Sequence, residues 1–158
     1  MRRVPRNAAF PKAAAFHEAG HAVARLHIGA PATAVAINRS GGGYTRGTPN
    51  RWPGRGQRRM WTWLLVLFAG SYAQALAEKR SLHRTLITSG KLDLQQAKPA
   101  IDWLVDRGHA RRSVDVLTRI HFSTCAFLTV RWDAIERVAI ALMAQGRLTA
   151  RQVRALVE

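Results

Sequence analysis

The chain has 158 residues, of which 47% are hydrophobic, and a formal net charge of +16 at pH 7. That length and apolar fraction suit one compact unit with a buried core, so we expect residues 1 to 158 to form a single domain. The only cysteine, Cys125, excludes an intramolecular disulfide and favours a reducing, cytoplasmic location. We expect its side chain to be a small buried hydrophobe.

Residues 1 to 7 form a basic N-terminal tail with three arginines. The segment that follows it contains Pro11, Lys12, His17 and Glu18, which interrupt any continuous apolar run. Since a signal peptide needs such a run, we expect none here.

The first predicted element is an alanine-rich helix over about residues 8 to 28, ended by Gly29. It carries the sequence HEAGH at positions 17 to 21, an HExxH pattern. At 3.6 residues per turn, His17 and His21 lie one turn apart and about 40° around the axis, so both imidazoles can bind one zinc ion. Glu18 would lie beside the metal and take a proton from zinc-bound water, whose pKa the ion lowers to about 7. The pattern therefore predicts a zinc peptidase; the alternative is an amphipathic helix whose histidines are satisfied by hydrogen bonds.

Zinc needs a third protein ligand, and His27 has the spacing HExxHxxGxxH of the metzincins. The glycine of that pattern, which turns the chain sharply, is replaced here by the helix former Ala24. If the helix continues, His27 lies about 280° around the axis from His17. We therefore interpret His27 as a residue of the helix C-terminus.

A small two-stranded β element is predicted next. Residues 33 to 39 alternate in size and favour a strand, and the glycines at 41 to 43 turn into a second one. A peptide substrate commonly binds zinc peptidases as an added strand, so residues 33 to 39 or 42 to 46 would offer the edge. The candidate substrate-binding residues are Val35, Ile37, Gly43 and Tyr44.

Residues 46 to 59 are rich in arginine, glycine and proline and predict a flexible basic loop. Residues 1 to 59 hold eleven basic residues and one acid. Such a segment would bind nucleic acid, anionic lipid or an acidic protein. The alternative is a compositional bias toward arginine without a polyanion partner.

The rest of the chain predicts helices at about 57 to 79, 91 to 107, 111 to 128, 131 to 145 and 149 to 157. The last begins with Thr149 and Gln152 in a capping-box pattern. The apolar run from Met60 to Ala77 is about long enough to cross a membrane, but it contains Ser71 and Gln74 and has basic flanks. We interpret it as a core helix and expect no transmembrane span. The predicted fold is mostly α, a helical zinc-peptidase domain with a small two-stranded β element.

Several segments resemble, in order, the peptidase domain of the FtsH-type membrane AAA proteases. They are HEAGHAV at 17 to 23, VAINR at 35 to 39, GGYT at 42 to 45, LFAGSYAQ at 67 to 74 and DLQQA at 93 to 97. The resemblance covers about residues 14 to 108. It implies that His17, His21 and Asp93 are the zinc ligands and that Glu18 is the general base.

The chain departs from this family in two respects. Gln74 stands where the family has a glutamate, which puts a charged contact to a metal ligand in doubt. The sequence also contains no P-loop motif, so we expect no ATP-driven unfolding by the chain itself, although an ATPase partner could act in trans. The resemblance also places Arg39 and Tyr44 near the cleft. His83, His109 and His121 are oxyanion-stabilising candidates by residue type only.

Three hypotheses follow. The first is a zinc endopeptidase that cleaves flexible or unfolded protein. The second is a peptidase-like scaffold that acts as a basic binding or assembly module for nucleic acid or an acidic protein. The third is a nucleic-acid-binding protein in which the HExxH pattern is incidental. Nothing in the matched residues predicts an oligomeric state.

Overall fold

A computed structural model describes residues 10 to 47 and 56 to 158. The predicted basic tail and most of the predicted arginine-rich loop lie outside the described residues. The fold is mostly helical, as predicted. Its elements, in chain order, are α1 (Lys12–His27), β1 (Ala32–Ile37), β2 (Gly43–Gly47), α2 (Gln57–Glu78), α3 (Leu82–Ile87), α4 (Lys91–Asp106), α5 (Ser113–Gln145), β3 (Arg147–Thr149) and α6 (Ala150–Val157).

The core forms where α1 packs against α2 and α5. Helix α1 starts directly after Pro11, whose carbonyl accepts the first hydrogen bond, and it ends before Gly29, which has a φ of 75°. Gly20 lies at its closest approach to α2, because a Cβ there would lie 2.8 Å from the carbonyl carbon of Ala69. The missing side chain therefore lets the two helices cross at backbone distance.

The sheet has three strands in the order β2-β1-β3, all antiparallel, where two were predicted. Strand β3 has only three residues after Gly146, too few to show an alternating pattern. Because β1 pairs on both sides, the prediction that it offers a binding edge is wrong. Among the described residues, β2 has a partner on one side only.

Helix α5 is one continuous helix of 33 residues, where the sequence predicted two. The predicted break at residues 129 and 130 contains neither glycine nor proline, and packing against the core carries the helix through it. The short helix α3 was not predicted; the Ser81 hydroxyl accepts a hydrogen bond from the Arg84 N–H at its start. The other predicted helices are confirmed, including the capping box of Thr149 and Gln152.

Helix α2 is long and apolar enough to cross a membrane by length and composition alone, but 67% of its apolar window is buried inside the fold. This burial agrees with the interpretation of α2 as a core helix. Cys125, in contrast, is exposed, so the prediction of a buried thiol is wrong. Helix α5 buries the neighbouring Thr124 and Phe127, which turns Cys125 outward.

Candidate metal centre

Three side-chain atoms converge between α1 and the first turn of α4. The Nε2 atoms of His17 and His21 lie 3.1 Å apart, and Oδ2 of Asp93 lies 3.0 Å from the first and 3.3 Å from the second. The HExxH spacing puts both imidazoles on one helix face, as predicted. Asp93 reaches them from a helix that begins at Lys91, far along the chain from both histidines.

Hydrogen bonds on the far side of each ring decide which nitrogen carries the proton. Nδ1 of His21 lies 2.8 Å from the carbonyl oxygen of Val66, which only accepts, so Nδ1 is the donor. Nδ1 of His17 donates in the same way to Oε1 of Gln74, at 3.1 Å. In a neutral ring, each Nε2 therefore presents a lone pair toward the cluster.

Oδ2 of Asp93 is buried and accepts no well-directed hydrogen bond, although both Nε2 atoms lie within 3.3 Å of it. When both rings are neutral, neither Nε2 carries a hydrogen, so Asp93 can accept a hydrogen bond from the histidines only when one of the rings is protonated. Three lone pairs that meet without a proton repel one another unless a cation lies between them. Tetrahedral zinc with bonds of about 2.0–2.1 Å spaces its ligands about 3.3 Å apart, so this nitrogen, nitrogen and oxygen set fits that ion. These three residues could hold a metal ion.

In the metal-free chain, the surroundings of the cluster change the pKa values of His21 and Asp93. Burial alone lowers the pKa of His21, but the hydrogen bond and charge of Asp93, together with the charge of Glu18, raise it to about 9. Burial raises the pKa of the Asp93 carboxyl, but the two histidines hold it well below its usual range. A proton on His21 therefore balances the cluster when no metal does.

Gln74 positions His17 through a chain of hydrogen bonds. Its Oε1 accepts from His17 and also from the hydroxyl of Ser89, at 2.8 Å. Its Nε2 donates to Oε2 of Glu78 at 3.0 Å, which fixes the orientation of the amide. The family's glutamate at this position would contact a metal ligand with a charged group. Here the neutral amide of Gln74 contacts His17 instead, and the carboxylate of Glu78 lies one turn further along α2. Such partners orient a ligand and raise its basicity.

Glu18 is held beside the cluster by β2. The hydroxyl of Thr45 lies 2.7 Å from its Oε2 and 3.2 Å from its backbone oxygen. Gly43 leaves room for the side chain, because a Cβ there would lie 2.7 Å from Cγ and 2.8 Å from Oε1 of Glu18. Glu18 as a whole residue is only 6% exposed. Glu18 thus lies in the same cleft as His17, His21 and Asp93 and outside that cluster.

These groups line one open cleft of about 410 Å³. Gly43 and Tyr44 belong to its wall, and their role in substrate binding stays a prediction. Val35 and Ile37 do not, because both are buried in the core beneath the sheet, and their assignment as substrate contacts is wrong. The sequence missed the roles of Arg25, Thr45, Trp63 and Ser89 in or beside the cleft. Of these four residues, only Arg25 had a signal in the sequence, because it follows His21 by one helical turn.

The remaining candidates lie elsewhere. His27 is exposed and packs 5.3 Å from the ring of Phe127. The guanidinium of Arg39 stacks over the ring of Phe10. Neither His27 nor Arg39 lines the cleft. His83 is exposed, His109 stacks on Trp103, and His121 is hydrogen-bonded to Tyr72.

Comparison of the sequence with protein-family models and with curated proteins gives no match. The resemblance to FtsH-type peptidases therefore stays a prediction, and functional inference depends on the geometry of the site.

Proposed function

We propose that the chain is a zinc-dependent endopeptidase of the FtsH-like type, in which His17, His21 and Asp93 bind zinc and Glu18 is the general base. The observation that carries the proposal is the convergence of three lone-pair donors, on His17, His21 and Asp93, beside a separately held carboxylate. Structural zinc sites use four protein ligands, whereas hydrolytic sites use three and leave a position open. Three ligands on an open cleft fit the hydrolytic type.

Bound zinc would supply Lewis acidity toward water and toward the carbonyl of a peptide bond. The residues of the chain would perform the proton transfers. Glu18 takes a proton from the attacking water and returns it to the leaving amine. Its Oε2 is held by the Thr45 hydroxyl, while Oε1 carries no hydrogen bond from Thr45, which leaves that oxygen available to the cleft.

The substrate that suits this cleft is an extended segment of flexible or unfolded protein. Strand β2 borders the cleft through Gly43, Tyr44 and Thr45, and among the described residues its outer side has no strand partner. A peptide that pairs with this side would be held by backbone hydrogen bonds alongside the metal ligands. Folded protein cannot present its backbone in this way, so local unfolding of the substrate is required.

The test combines zinc content with cleavage of unfolded casein by wild type, Glu18→Gln and Asp93→Ala. We expect one zinc in wild type and in Glu18→Gln, loss of zinc in Asp93→Ala, and cleavage by wild type only. His27→Ala is the matched control and should keep both zinc and activity. Equal loss of zinc in Asp93→Ala and His27→Ala would refute the ligand assignment. Zinc without cleavage would favour the scaffold hypothesis.

A further inference from the structure

A second group of reactive side chains lies outside the cleft of the metal ligands. Sγ of Cys125 lies 3.9 Å from Nε2 of His121, and Nδ1 of the same ring lies 2.9 Å from the hydroxyl of Tyr72. All three residues line a groove of about 730 Å³ formed by α2, α5 and the start of α3, and no described residue lines both this groove and the cleft. We propose that Cys125 is a modification site, at which the thiol accepts a fatty acyl group from an acyl thioester.

The thiol and the imidazole are arranged as a nucleophile and its base. A cysteine attacks as its thiolate, and a neighbouring imidazole can take the proton of the thiol. Cys125 follows His121 by one turn of α5, so the helix itself keeps Sγ and Nε2 on one face. A nucleophile and its base are often this far apart before a substrate binds. His121 is therefore placed to act as the base for Cys125.

Tyr72 positions the ring of His121 from the neighbouring helix α2. Only 7% of Tyr72 is exposed, and burial together with the charge of Cys125 raises the pKa of Tyr72 to about 12, so the phenol stays neutral. Its oxygen can accept a hydrogen bond from Nδ1–H of His121, which leaves the lone pair of Nε2 facing Sγ. The same oxygen still accepts from Nδ1–H when the ring is protonated. Tyr72 thus completes the order of nucleophile, base and positioning residue.

The rest of the groove suits an acyl chain. Cys125 is exposed, so an electrophile can reach the thiol. The hydrophobic residues that line the groove are Ala75, Leu76, Leu82, Leu128 and Trp132. Leu76 is 56% exposed, so an apolar chain that covers it removes hydrophobic surface from water. Each methylene group that the groove buries should strengthen binding of the donor by about fourfold.

A basic residue at the groove suits a donor with an anionic carrier, such as a phosphate-bearing coenzyme. Lys79 lines the groove and is exposed, beside Arg80, whose guanidinium also pairs with Glu78 at 3.6 Å. In the transfer, Nε2 of His121 takes the proton of the thiol and the thiolate attacks the thioester carbonyl. A carbon–sulfur bond forms to Cys125, the bond to the carrier sulfur breaks, and His121 gives the proton to the leaving thiolate. The exchange of one thioester for another needs no oxidant or reductant.

The experiment follows acyl transfer to the full chain by intact-mass spectrometry. Wild type is incubated with octanoyl-coenzyme A or acetyl-coenzyme A, below the concentration at which the octanoyl donor forms micelles. We expect one octanoyl group on Cys125, released by neutral hydroxylamine as a thioester is. Transfer from the octanoyl donor should be at least about tenfold faster than from the acetyl donor, because the groove binds the longer chain. Cys125→Ser should take no acyl group.

Three variants test the arrangement of the groups. His121→Gln should lower the rate at least about tenfold, since a general base contributes about 10²–10⁴-fold. Tyr72→Phe removes only the hydroxyl, so it should lower the rate and keep the preference for the octanoyl donor. The control moves the thiol by one position, because Ala126 is exposed on the same helix and follows Phe122, not a histidine, by one turn. Cys125→Ser combined with Ala126→Cys should react no faster than His121→Gln.

No transfer to wild type, or equal rates with the two donors, would overturn the modification site. A wild-type rate in His121→Gln, or in the variant with the moved thiol, would also overturn it, because any exposed thiol would then react in the same way. Circular dichroism should show that the variants are folded. If Tyr72→Phe does not fold, the substitutions at the exposed residues His121, Cys125 and Ala126 decide. The outcome is independent of the proposed peptidase function, since the assay needs neither zinc nor peptide cleavage.

Discussion

A methyl group added at Gly70 should disable the proposed metal site while leaving the fold intact. Gly70 lies in α2 with the imidazole of His21 directly against its Cα. In Gly70→Ala the new Cβ would lie 2.6 Å from Cε1 and 2.8 Å from Cδ2 of His21, and closer to Nε2, which lies between them. The substitution therefore meets the atom that would bind zinc.

The size of the effect follows from these distances. Ordinary Cβ contacts begin at 3.4 Å, so the ring must move by about 0.8 Å or more. Ligand distances at a metal site tolerate only about 0.2 Å. Removing an outer-shell partner of a ligand costs about 10–100-fold in metal affinity, so displacing a ligand should cost at least about 100-fold. Alanine stabilises a helix by about 1 kcal/mol relative to glycine, whereas overpacking destabilises the fold by about 1–3 kcal/mol. Because the two effects oppose each other, the free energy of unfolding should change by less than about 2 kcal/mol.

Zinc affinity is measured by competition with a chromophoric chelator, and stability by urea unfolding of the metal-free protein. Ser71→Ala is the control on the same helix, because it removes a buried hydroxyl that has no hydrogen-bond partner among the described residues, and it should leave zinc affinity unchanged. A folded Gly70→Ala protein with wild-type zinc affinity would refute the proposed position of the ion. Global unfolding of Gly70→Ala would refute the stability argument.

Three further predictions concern the surroundings of the metal ligands. Gln74→Leu should weaken zinc about 10–100-fold in the chelator assay, because His17 loses the acceptor that fixes its tautomer; unchanged affinity would contradict this role. Thr45→Val should keep zinc but lower kcat for casein, because Glu18 loses its 2.7 Å hydrogen bond; loss of zinc instead would show a structural role. Zinc binding at pH 7 should release a proton, because the metal-free His21 has a pKa of about 9 and zinc binds the neutral ring. Calorimetry in buffers of different ionisation enthalpy measures this proton, and affinity should rise from pH 6.5 toward 9. The stability that His21 adds to the metal-free protein is complete below pH 6.5 and is lost as the pH rises through about 9; a pH-independent unfolding free energy over this range would refute the raised pKa.

Features that depend on neighbouring residues were predictable from the sequence. The periodicity of the helix places His17 and His21 on one face whatever the rest of the chain does. The end of α1 at Gly29 and the capping box at Thr149 are equally local, since each satisfies backbone groups within a few residues. The extent of α5 was not predictable, because packing against the core outweighs the weak helix preference at its middle.

The rest of the site depends on tertiary structure. The approach of Asp93 to the histidines was expected only from a family resemblance, and the contact itself requires α4 to dock against α2. The pairing of β1 on both sides depends on a three-residue strand from the far end of the chain, and the burial of Val35 and Ile37 depends on the core against which the sheet packs. Which nitrogen of each histidine is free for a metal is decided by Val66 and Gln74, more than 40 residues away. Local sequence determines which side chains share a helix face, whereas packing decides which groups from other elements meet them, because those contacts form between segments that are distant in the chain.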